Sequence, residues 1–385
     1  MAEAMNRSNR RAESRAALEQ ARAQLREFVQ REPFLVVALR TLGVAASASA
    51  EEANSRWDFP AMEAAANESQ EIYRQLLKLD PKNTSHLNNL AVGNTQPLLR
   101  HLREGDVAGY NRYAAASNAG LEFEGASNFN KNNAAVGYLR TAANNAAFGR
   151  EAEVPTLLAR GQALVKELLA DQSGDSAERV LAEEYWKREA RRMPVVRLDW
   201  PTVRREAEAT LSRIDREAAG AQNQEVKRDL ERAASLDLMT AAARLGDTAA
   251  ARRALDRWWA LRESPPENSP PQQRLEEASD QLQRAEVLWS AGEVAEVRAI
   301  LGKVAPEADA LLALKPDAKF TQVFLARTLW LKTRATEGLA PTEKRAPLEK
   351  AIGMMDKFYA EGRLTRFENE IIRTGIRAEL QKLGK

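Results

Sequence analysis

The sequence of 385 residues contains no cysteine. This absence excludes thiolate catalysis, disulfide bonds, and zinc or iron–sulfur sites with cysteine ligands. It does not identify a redox compartment, because a cysteine-free chain is equally suited to the cytosol and to the periplasm.

Histidine is almost as scarce, with only His86 and His101 in the chain. Two histidines exclude a multi-histidine metal site and leave little acid–base chemistry near neutral pH. The periodicity around them predicts one helix with His86 at its start and His101 at its end, about 22 Å apart by helical rise. We therefore expect no metal site, and surface or capping roles for both side chains.

Long apolar runs are also missing. The longest, residues 34–39, is far shorter than the roughly 20 residues that a membrane-spanning helix needs. The polar, basic start is followed by further charged residues and does not resemble a secretory signal. We expect a cytoplasmic protein or, alternatively, the soluble domain of a membrane-anchored parent, because a basic segment also follows membrane helices.

No linear motif for catalysis or nucleotide binding is present. Gly302-Lys303 lacks the upstream glycine and the following hydroxyl residue of a phosphate-binding loop. No serine occupies a Gly-x-Ser-x-Gly elbow, and carboxylate pairs such as Glu183-Glu184 stand beside arginines at the spacing of solvated helical ion pairs. We expect a protein that is not an enzyme and has no cofactor. The alternative is a helical enzyme or a defence effector whose site has no linear motif.

What the sequence does contain is a helix-forming mixture of residues. Alanine, leucine, glutamate, arginine and glutamine dominate, and runs of β-branched residues are scarce. The 57 Lys and Arg nearly balance the 55 Asp and Glu, which favours solvated helix faces over a polyanion-binding surface. Since single cores stop growing near about 250 to 300 residues, the length indicates several domains or an elongated array of repeats.

Apolar residues recur at the spacing of amphipathic helices along nearly the whole chain. Glycine, proline and aspartate separate these segments. The pattern predicts an all-α protein of antiparallel helix pairs with short turns. The predicted helices cover residues 12–30, 34–53, 61–79, 84–103, 106–124, 130–148, 153–171, 176–192, 200–219, 222–245, 247–262, 271–290, 293–314, 318–337, 342–361 and 365–383.

One turn between predicted helices has a detailed pattern. Leu245-Gly246-Asp247 is followed by the small Ala251 and the bulky Leu255. Similar motifs occur elsewhere in the chain, as a second turn and as helix ends closed by proline. They are Ala291-Gly292-Glu293, Leu79-Asp80-Pro81 and Leu314-Lys315-Pro316.

These motifs resemble the tetratricopeptide repeat (TPR), a helix pair of about 34 residues with a Gly-Asp-like turn and a closing proline. Two features depart from the family pattern: Trp258 stands where the family prefers alanine, and Gly246 to Gly292 covers 46 residues. The resemblance implies stacked pairs forming a TPR-like α-solenoid, because one pair alone cannot bury both of its faces. It also implies a groove, lined by the first helix of each pair, that binds a protein or a peptide.

The function implied by this resemblance is a non-catalytic scaffold or adaptor, or the sensor or interaction half of a larger bacterial regulator. We expect a disordered basic start at residues 1–8 and TPR-like arrays at 9–263 and 272–385. Proline is concentrated between the arrays, at residues 264–271. A loop between repeats is favoured there over a domain linker, because helical segments resume on both sides.

Asparagine is frequent between Asn83 and Asn145, although it is a mediocre helix former. In TPR domains that clamp a peptide, asparagines on the groove-lining helices bind its backbone or its terminal carboxylate. The alternative is a role in caps and turns, which suits Asn83, Asn118 and Asn128. By resemblance, the predicted partner-binding residues are Asn88, Asn89, Asn132 and Asn133, with Lys131, Arg100 or Arg140 as charge partners.

The most basic stretch lies near Trp186 and Trp200. Glutamate and aspartate are interleaved with its arginines, which favours a salt-bridged exterior over a nucleic-acid surface. We therefore expect a protein or peptide partner and no nucleic acid. The basic residues are Lys187, Arg188, Arg191, Arg192, Arg197, Arg204 and Arg205.

Overall fold

The computed structural model describes residues 11–123, 126–170, 186–216, 224–262, 265–266 and 268–383. The regular elements in these ranges are helices, and no strand occurs among them. Successive helices pack against one another within each of two compact units. The predicted all-α fold of consecutively packed helices is confirmed.

The first unit consists of Met1–Thr141, Pro155–Trp186 and Pro266–Arg274. Its limits fall within the helices Asn128–Ala147, Val154–Ala170 and Pro271–Ser290, which also contribute residues to the second unit. The helices of this part of the chain are α1 (Arg11–Arg31), α2 (Val36–Ser55), α3 (Phe59–Leu79), α4 (Thr84–Val92), α5 (Thr95–Glu104), α6 (Val107–Leu121), α7 (Asn128–Ala147) and α8 (Val154–Ala170).

Helices α2 and α3 show how the local sequence determines a pair. Asp58 caps α3, because its Oδ1 accepts a hydrogen bond from the Ala61 backbone N–H at 3.2 Å. Between the helices, Trp57 adopts a left-handed backbone conformation with a φ of 61°, and its side chain is buried. Leu39 and Tyr73 then pack together in a buried cluster between the two helices.

The single helix predicted over residues 84–103 is wrong, because the structure has two helices, α4 and α5, separated at Gly93 and Asn94. The physical reason is a contact from α3. The Gln70 side chain donates hydrogen bonds to the Gly93 carbonyl at 3.4 Å and to Asn94 Oδ1 at 3.2 Å. Glycine and asparagine form helices poorly, so the chain can break at Gly93 and Asn94. The contacts from Gln70 then fix the break between α4 and α5 at these two residues.

The second unit consists of Ala142–Val154, Lys187–Pro265 and Leu275–Lys385. Its described part includes the end of α7, a helical segment that precedes a short α9, and a π-helical turn, Glu368–Arg373, that leads into α17. The helices are α9 (Arg192–Val196), α10 (Trp200–Arg216), α11 (Gln224–Arg244), α12 (Thr248–Ala260), α13 (Pro271–Ser290), α14 (Val294–Leu314), α15 (Lys319–Ala335), α16 (Pro341–Ala360) and α17 (Thr374–Leu383).

Three helix pairs of the second unit share one type of turn. Each turn contains one glycine: Gly246 lies between α11 and α12, Gly292 between α13 and α14, and Gly338 between α15 and α16. The three glycines are equally spaced along the chain. Each has a φ between 74° and 80°, a conformation that disfavours any residue with a Cβ. The turns predicted at Gly246 and Gly292 are therefore confirmed. We call α11, α13 and α15 the first helices of these pairs.

The last predicted helix, 365–383, is not a continuous α-helix in the structure, because a π-helical turn interrupts it. Thr365 and Glu368 cap one another at its start. The Thr365 backbone N–H donates to Glu368 Oε2 at 2.7 Å, and the Glu368 backbone N–H donates to Thr365 Oγ1 at 3.2 Å.

Some of the predictions fall wholly or partly outside the described residues, including the ends of the predicted helices 106–124, 153–171, 200–219 and 222–245. The disordered start at 1–8 lies outside the described residues. The predicted helix 176–192 is described only from residue 186, where a helical segment over 186–190 precedes α9. The segment 264–271 is described only in part.

Candidate binding site

The second unit contains a cavity of about 230 Å³ between the three first helices. Its lining residues recur three and four positions apart on each helix, which is the spacing of one helix face. We call this cavity the arginine pocket. Its lining includes Thr240, Ala243 and Arg244 of α11; Gln283, Glu286, Trp289 and Ser290 of α13; Arg327, Trp330 and Arg334 of α15; and Phe367.

Arg327 and Glu286 form a two-point ion pair in the wall of this pocket. Arg327 Nε donates to Glu286 Oε1 at 2.5 Å, and Arg327 Nη2 donates to Glu286 Oε2 at 2.8 Å. Burial on its own would lower the pKa of Arg327, but the Glu286 carboxylate outweighs that effect and the pKa is raised. The pair fixes the Arg327 guanidinium and joins α15 to α13.

Arg244 contributes a second guanidinium. It has no ion-pair partner among the described residues, and its guanidinium lies 5.5 Å from the centre of the Phe367 ring. Desolvation lowers the pKa of Arg244, and the positive charges of Arg327 and Arg334 lower it further against the opposing effect of Glu286. The Arg244 side chain is nevertheless exposed to solvent, so its guanidinium is accessible to a ligand.

Arg334 lies between two tryptophans. Its guanidinium carbon is 5.1 Å from the Trp289 ring centre and 5.2 Å from that of Trp330. Stacking of this kind engages the face of the guanidinium and leaves N–H groups at its edge for hydrogen bonds. The indole Nε1 of Trp330 is buried and has no hydrogen-bond partner among the residues that the structure describes.

A second pocket of about 230 Å³ adjoins the first, because Trp289 and Arg334 line both. Its other lining residues include Lys344 and Leu348 of α16 and Glu379 of α17, whose Oε1 lies 3.9 Å from Arg334 Nε. Within the described part of the chain, Lys344 makes no ion pair. Together the two pockets form a groove with aromatic, aliphatic and cationic walls, which we call the α11–α13–α15 groove.

The predicted partner-binding asparagines lie in the first unit. Asn88 and Asn89 are half-buried on α4, and Asn132 and Asn133 are half-buried on α7. The two helices meet in a buried cluster that includes Ala91 of α4 and Ala134 of α7.

The side chains of this predicted set differ in burial and in their partners. Asn88 Oδ1 is buried without a hydrogen-bond partner among the described residues, so it faces no solvent-filled groove. Lys131 Nζ pairs with Glu167 Oε2 at 3.4 Å, and Arg140 is half-buried further along α7. Arg100 pairs closely with Glu63. Partner binding by this set stays a prediction.

The capping alternative is confirmed at one position and wrong at another. Asn83 caps α4, since its Oδ1 accepts a hydrogen bond from the His86 backbone N–H at 3.1 Å. Asn118 is instead buried in the last turn of α6, so close to Gly137 that a Cβ there would overlap its amide oxygen. At the start of α7, the Ser127 hydroxyl accepts from the Asn130 backbone N–H at 3.3 Å, and Asn128 is the first helical residue.

The expected placement of the histidines is wrong in two respects. They lie on different helices, and His86 is buried, with its ring 6.3 Å from that of Tyr73. Burial lowers the pKa of His86. His101 is half-buried, with its Nδ1 2.8 Å from Asp106 Oδ2 and its ring stacked on Tyr113 at 5.3 Å.

Several arginines of the basic stretch around Trp200 have acidic partners. Arg192 pairs with Glu189 at 3.0 Å and Arg197 with Glu151 at 2.7 Å. In the described ranges, no cluster of three or more histidines and carboxylates is arranged to hold a metal ion. No helix within those ranges combines the length and apolarity required to cross a membrane.

No protein family and no curated protein matches this sequence. The groove is therefore the main guide to function. Sequence reasoning missed it, although Arg327, Trp330 and Arg334 stand on one face of a predicted helix. Arginine and aromatic residues at this spacing mark one face of a helix, but they do not show which helices meet there.

Proposed function

We propose that this chain is a non-catalytic binding module of the TPR-like kind and that its α11–α13–α15 groove holds an extended segment of a partner protein. One observation carries the proposal: the first helices of three successive pairs line adjoining pockets. In stacked helical repeats, first helices form the surface on which a ligand lies.

The chemistry of the groove suits a peptide. Trp289, Trp330 and Phe367 provide apolar walls, and the arginines, Gln283 and Ser290 provide polar groups. Binding sites commonly combine mostly apolar walls with a few polar groups that fix orientation. Tryptophan and arginine are also the residue types that contribute most of the energy at protein interfaces.

The role as an adaptor, or as the interaction half of a larger regulator, belongs to the same proposal. The helical enzyme remains the second candidate, and the raised pKa of Asp237 on α11 is the observation that favours it. Asp237 lines neither pocket.

Selection from a random peptide library tests the proposal. A phage-displayed library of 12-residue peptides is panned on the intact chain, and binders are compared on two variants. Ala243→Trp fills the arginine pocket, whereas Ala249→Trp adds the same side chain to the exposed start of α12. We expect enriched peptides that bind the wild type and Ala249→Trp and lose at least tenfold in affinity for Ala243→Trp. The proposal would be contradicted if none of the enriched peptides bound Ala243→Trp more weakly than the wild type.

A further inference from the structure

The charges of the arginine pocket do not balance. Arg244, Arg327 and Arg334 line it with a single carboxylate, that of Glu286. Like charges held together in a partly desolvated site repel strongly, and an opposite charge placed among them relieves the repulsion. Glu379, in the wall of the second pocket, offsets one of these charges, because its Oε1 lies 3.9 Å from Arg334 Nε. The site retains an excess of positive charge at Arg244, which has no ion-pair partner among the described residues.

We propose that the arginine pocket binds an anionic side chain of an extended peptide, a carboxylate or a phosphate, while the next part of that peptide lies in the second pocket. This inference rests on the proposed function. It adds the chemical class of the segment that the groove selects.

The guanidinium groups have different tasks in this arrangement. Arg327 is held by its two hydrogen bonds to Glu286, so it acts as a fixed positive wall. Arg244 and Arg334 are stacked on aromatic rings, which positions them and leaves their N–H edges for an anion. Paired N–H groups of this kind bind carboxylate and phosphate oxygens with two parallel hydrogen bonds.

The adjoining second pocket indicates that the anion is carried within a segment. Trp289 and Arg334 are common to the two cavities, so a peptide anchored in the first meets the second directly. There Leu348 offers apolar surface, Lys344 a further positive charge and Glu379 a carboxylate beside Arg334. An apolar residue beside the anionic one therefore fits the groove.

An array of capped peptides tests this inference with the intact chain. Each peptide has nine residues with mixed flanks, and its central residue is glutamate, phosphoserine, glutamine or lysine. A further set has a central glutamine and a free terminal carboxylate. We expect glutamate or phosphoserine peptides to bind at least tenfold more tightly than glutamine peptides, and lysine peptides to bind least. Whichever of the glutamate and phosphoserine peptides binds more tightly identifies the anion. Tighter binding of the peptides with a free terminal carboxylate would overturn the placement of the anion on an internal side chain.

Matched variants link the preference to the pocket. Arg244→Gln and Arg334→Gln should each reduce the preference for the anion at least fivefold. Lys332→Gln, on the exposed side of α15, and Arg253→Gln, on the exposed side of α12, should leave it unchanged. Thermal melting establishes that each variant is folded, and Arg334→Lys replaces Arg334→Gln if the latter is not.

The results separate this inference from the proposed function. Library peptides that depend on Ala243 but carry no acidic residue, and that tolerate both arginine variants, would overturn the inference and leave the function standing. Equal binding of all central residues on the array, or no binding to any of them, would also overturn it. Failure of the function itself would appear as peptides insensitive to Ala243→Trp.

Discussion

Arg327 of α15 and Glu286 of α13 form a two-point ion pair, with hydrogen bonds of 2.5 Å and 2.8 Å, in the wall of the arginine pocket. The side chain of each is less than one-fifth exposed. Such a pair links two first helices at the site where a ligand would lie. Its contribution to stability depends on keeping both partners, because one partner alone leaves a buried charge uncompensated.

The first prediction follows from this pair. Glu286→Leu should lower the free energy of unfolding by about 3 kcal/mol, since it leaves the Arg327 guanidinium buried without its carboxylate. Adding Arg327→Met should recover most of the loss. Urea unfolding measures both, with Glu349→Gln in an exposed pair as a control that should change stability by less than about 1 kcal/mol. Equal losses for Glu286→Leu and the double variant would contradict this account.

The second prediction concerns the turns between paired helices. Gly246→Ala and Gly292→Ala should each destabilise by about 1 to 2 kcal/mol, because both positions have a left-handed backbone. Gly302 lies inside α14 with open space around it. Gly302→Ala should therefore stabilise by about 0.5 to 1 kcal/mol. Urea unfolding of the three variants shows the signs, and a stabilising alanine at Gly246 or Gly292 would refute the turn assignment.

The third prediction is a pH dependence of stability that arises from Asp237. Desolvation raises its pKa to about 6, with Arg191 and Arg192 opposing the shift and Glu206 adding to it. In the unfolded chain its pKa is about 3.9, so the folded state binds more protons between about pH 4 and pH 6. The contribution of Asp237 is fully present below that window and is lost as the pH rises through it.

Replacing Asp237 should remove this dependence. At pH 7.5, Asp237→Asn should be more stable than the wild type by on the order of 1 to 3 kcal/mol, and at pH 4 the two should be nearly equal. Urea unfolding across this range measures the difference, with the exposed Asp309→Asn as the control. A variant that is less stable at pH 7.5 would show that the Asp237 carboxylate is satisfied in the fold.

The fourth prediction separates the two candidate binding surfaces. Replacing both Asn89 and Asn132 by alanine should change the affinity of a groove-dependent library peptide by less than twofold, because both side chains lie in the first unit. Arg334→Gln should weaken the same peptide at least tenfold if it carries an anion. Fluorescence anisotropy with a labelled peptide gives both affinities. A tenfold loss for the asparagine variant would place the peptide on α4 and α7.

Much of the fold could be predicted from local patterns. Residues 271–290 were predicted as a helix and form α13, because its apolar periodicity and the proline at its start are local signals. The break at Gly93 and Asn94 could not be predicted, since Gln70 of another helix determines it. Burial of His86 was missed for the same reason: the Tyr73 ring that packs beside it comes from α3.

The groove was beyond prediction for a related physical reason. Periodicity shows that Arg327 and Arg334 share a face of one helix, but not which helices bring their faces together. The asparagine-rich segment is distinguished in the sequence by its unusual composition. The arginine pocket uses common residue types, and only the convergence of α11, α13 and α15 sets them apart.

The most direct test of the central claim is to map where a library peptide binds. A peptide carrying a diazirine photo-crosslinker is bound to the intact chain, irradiated and analysed by mass spectrometry. We expect crosslinks to residues of α11, α13 and α15 or to Phe367, and we expect these crosslinks to be lost in Ala243→Trp. Crosslinks confined to the first unit, around Asn89 and Asn132, would contradict it.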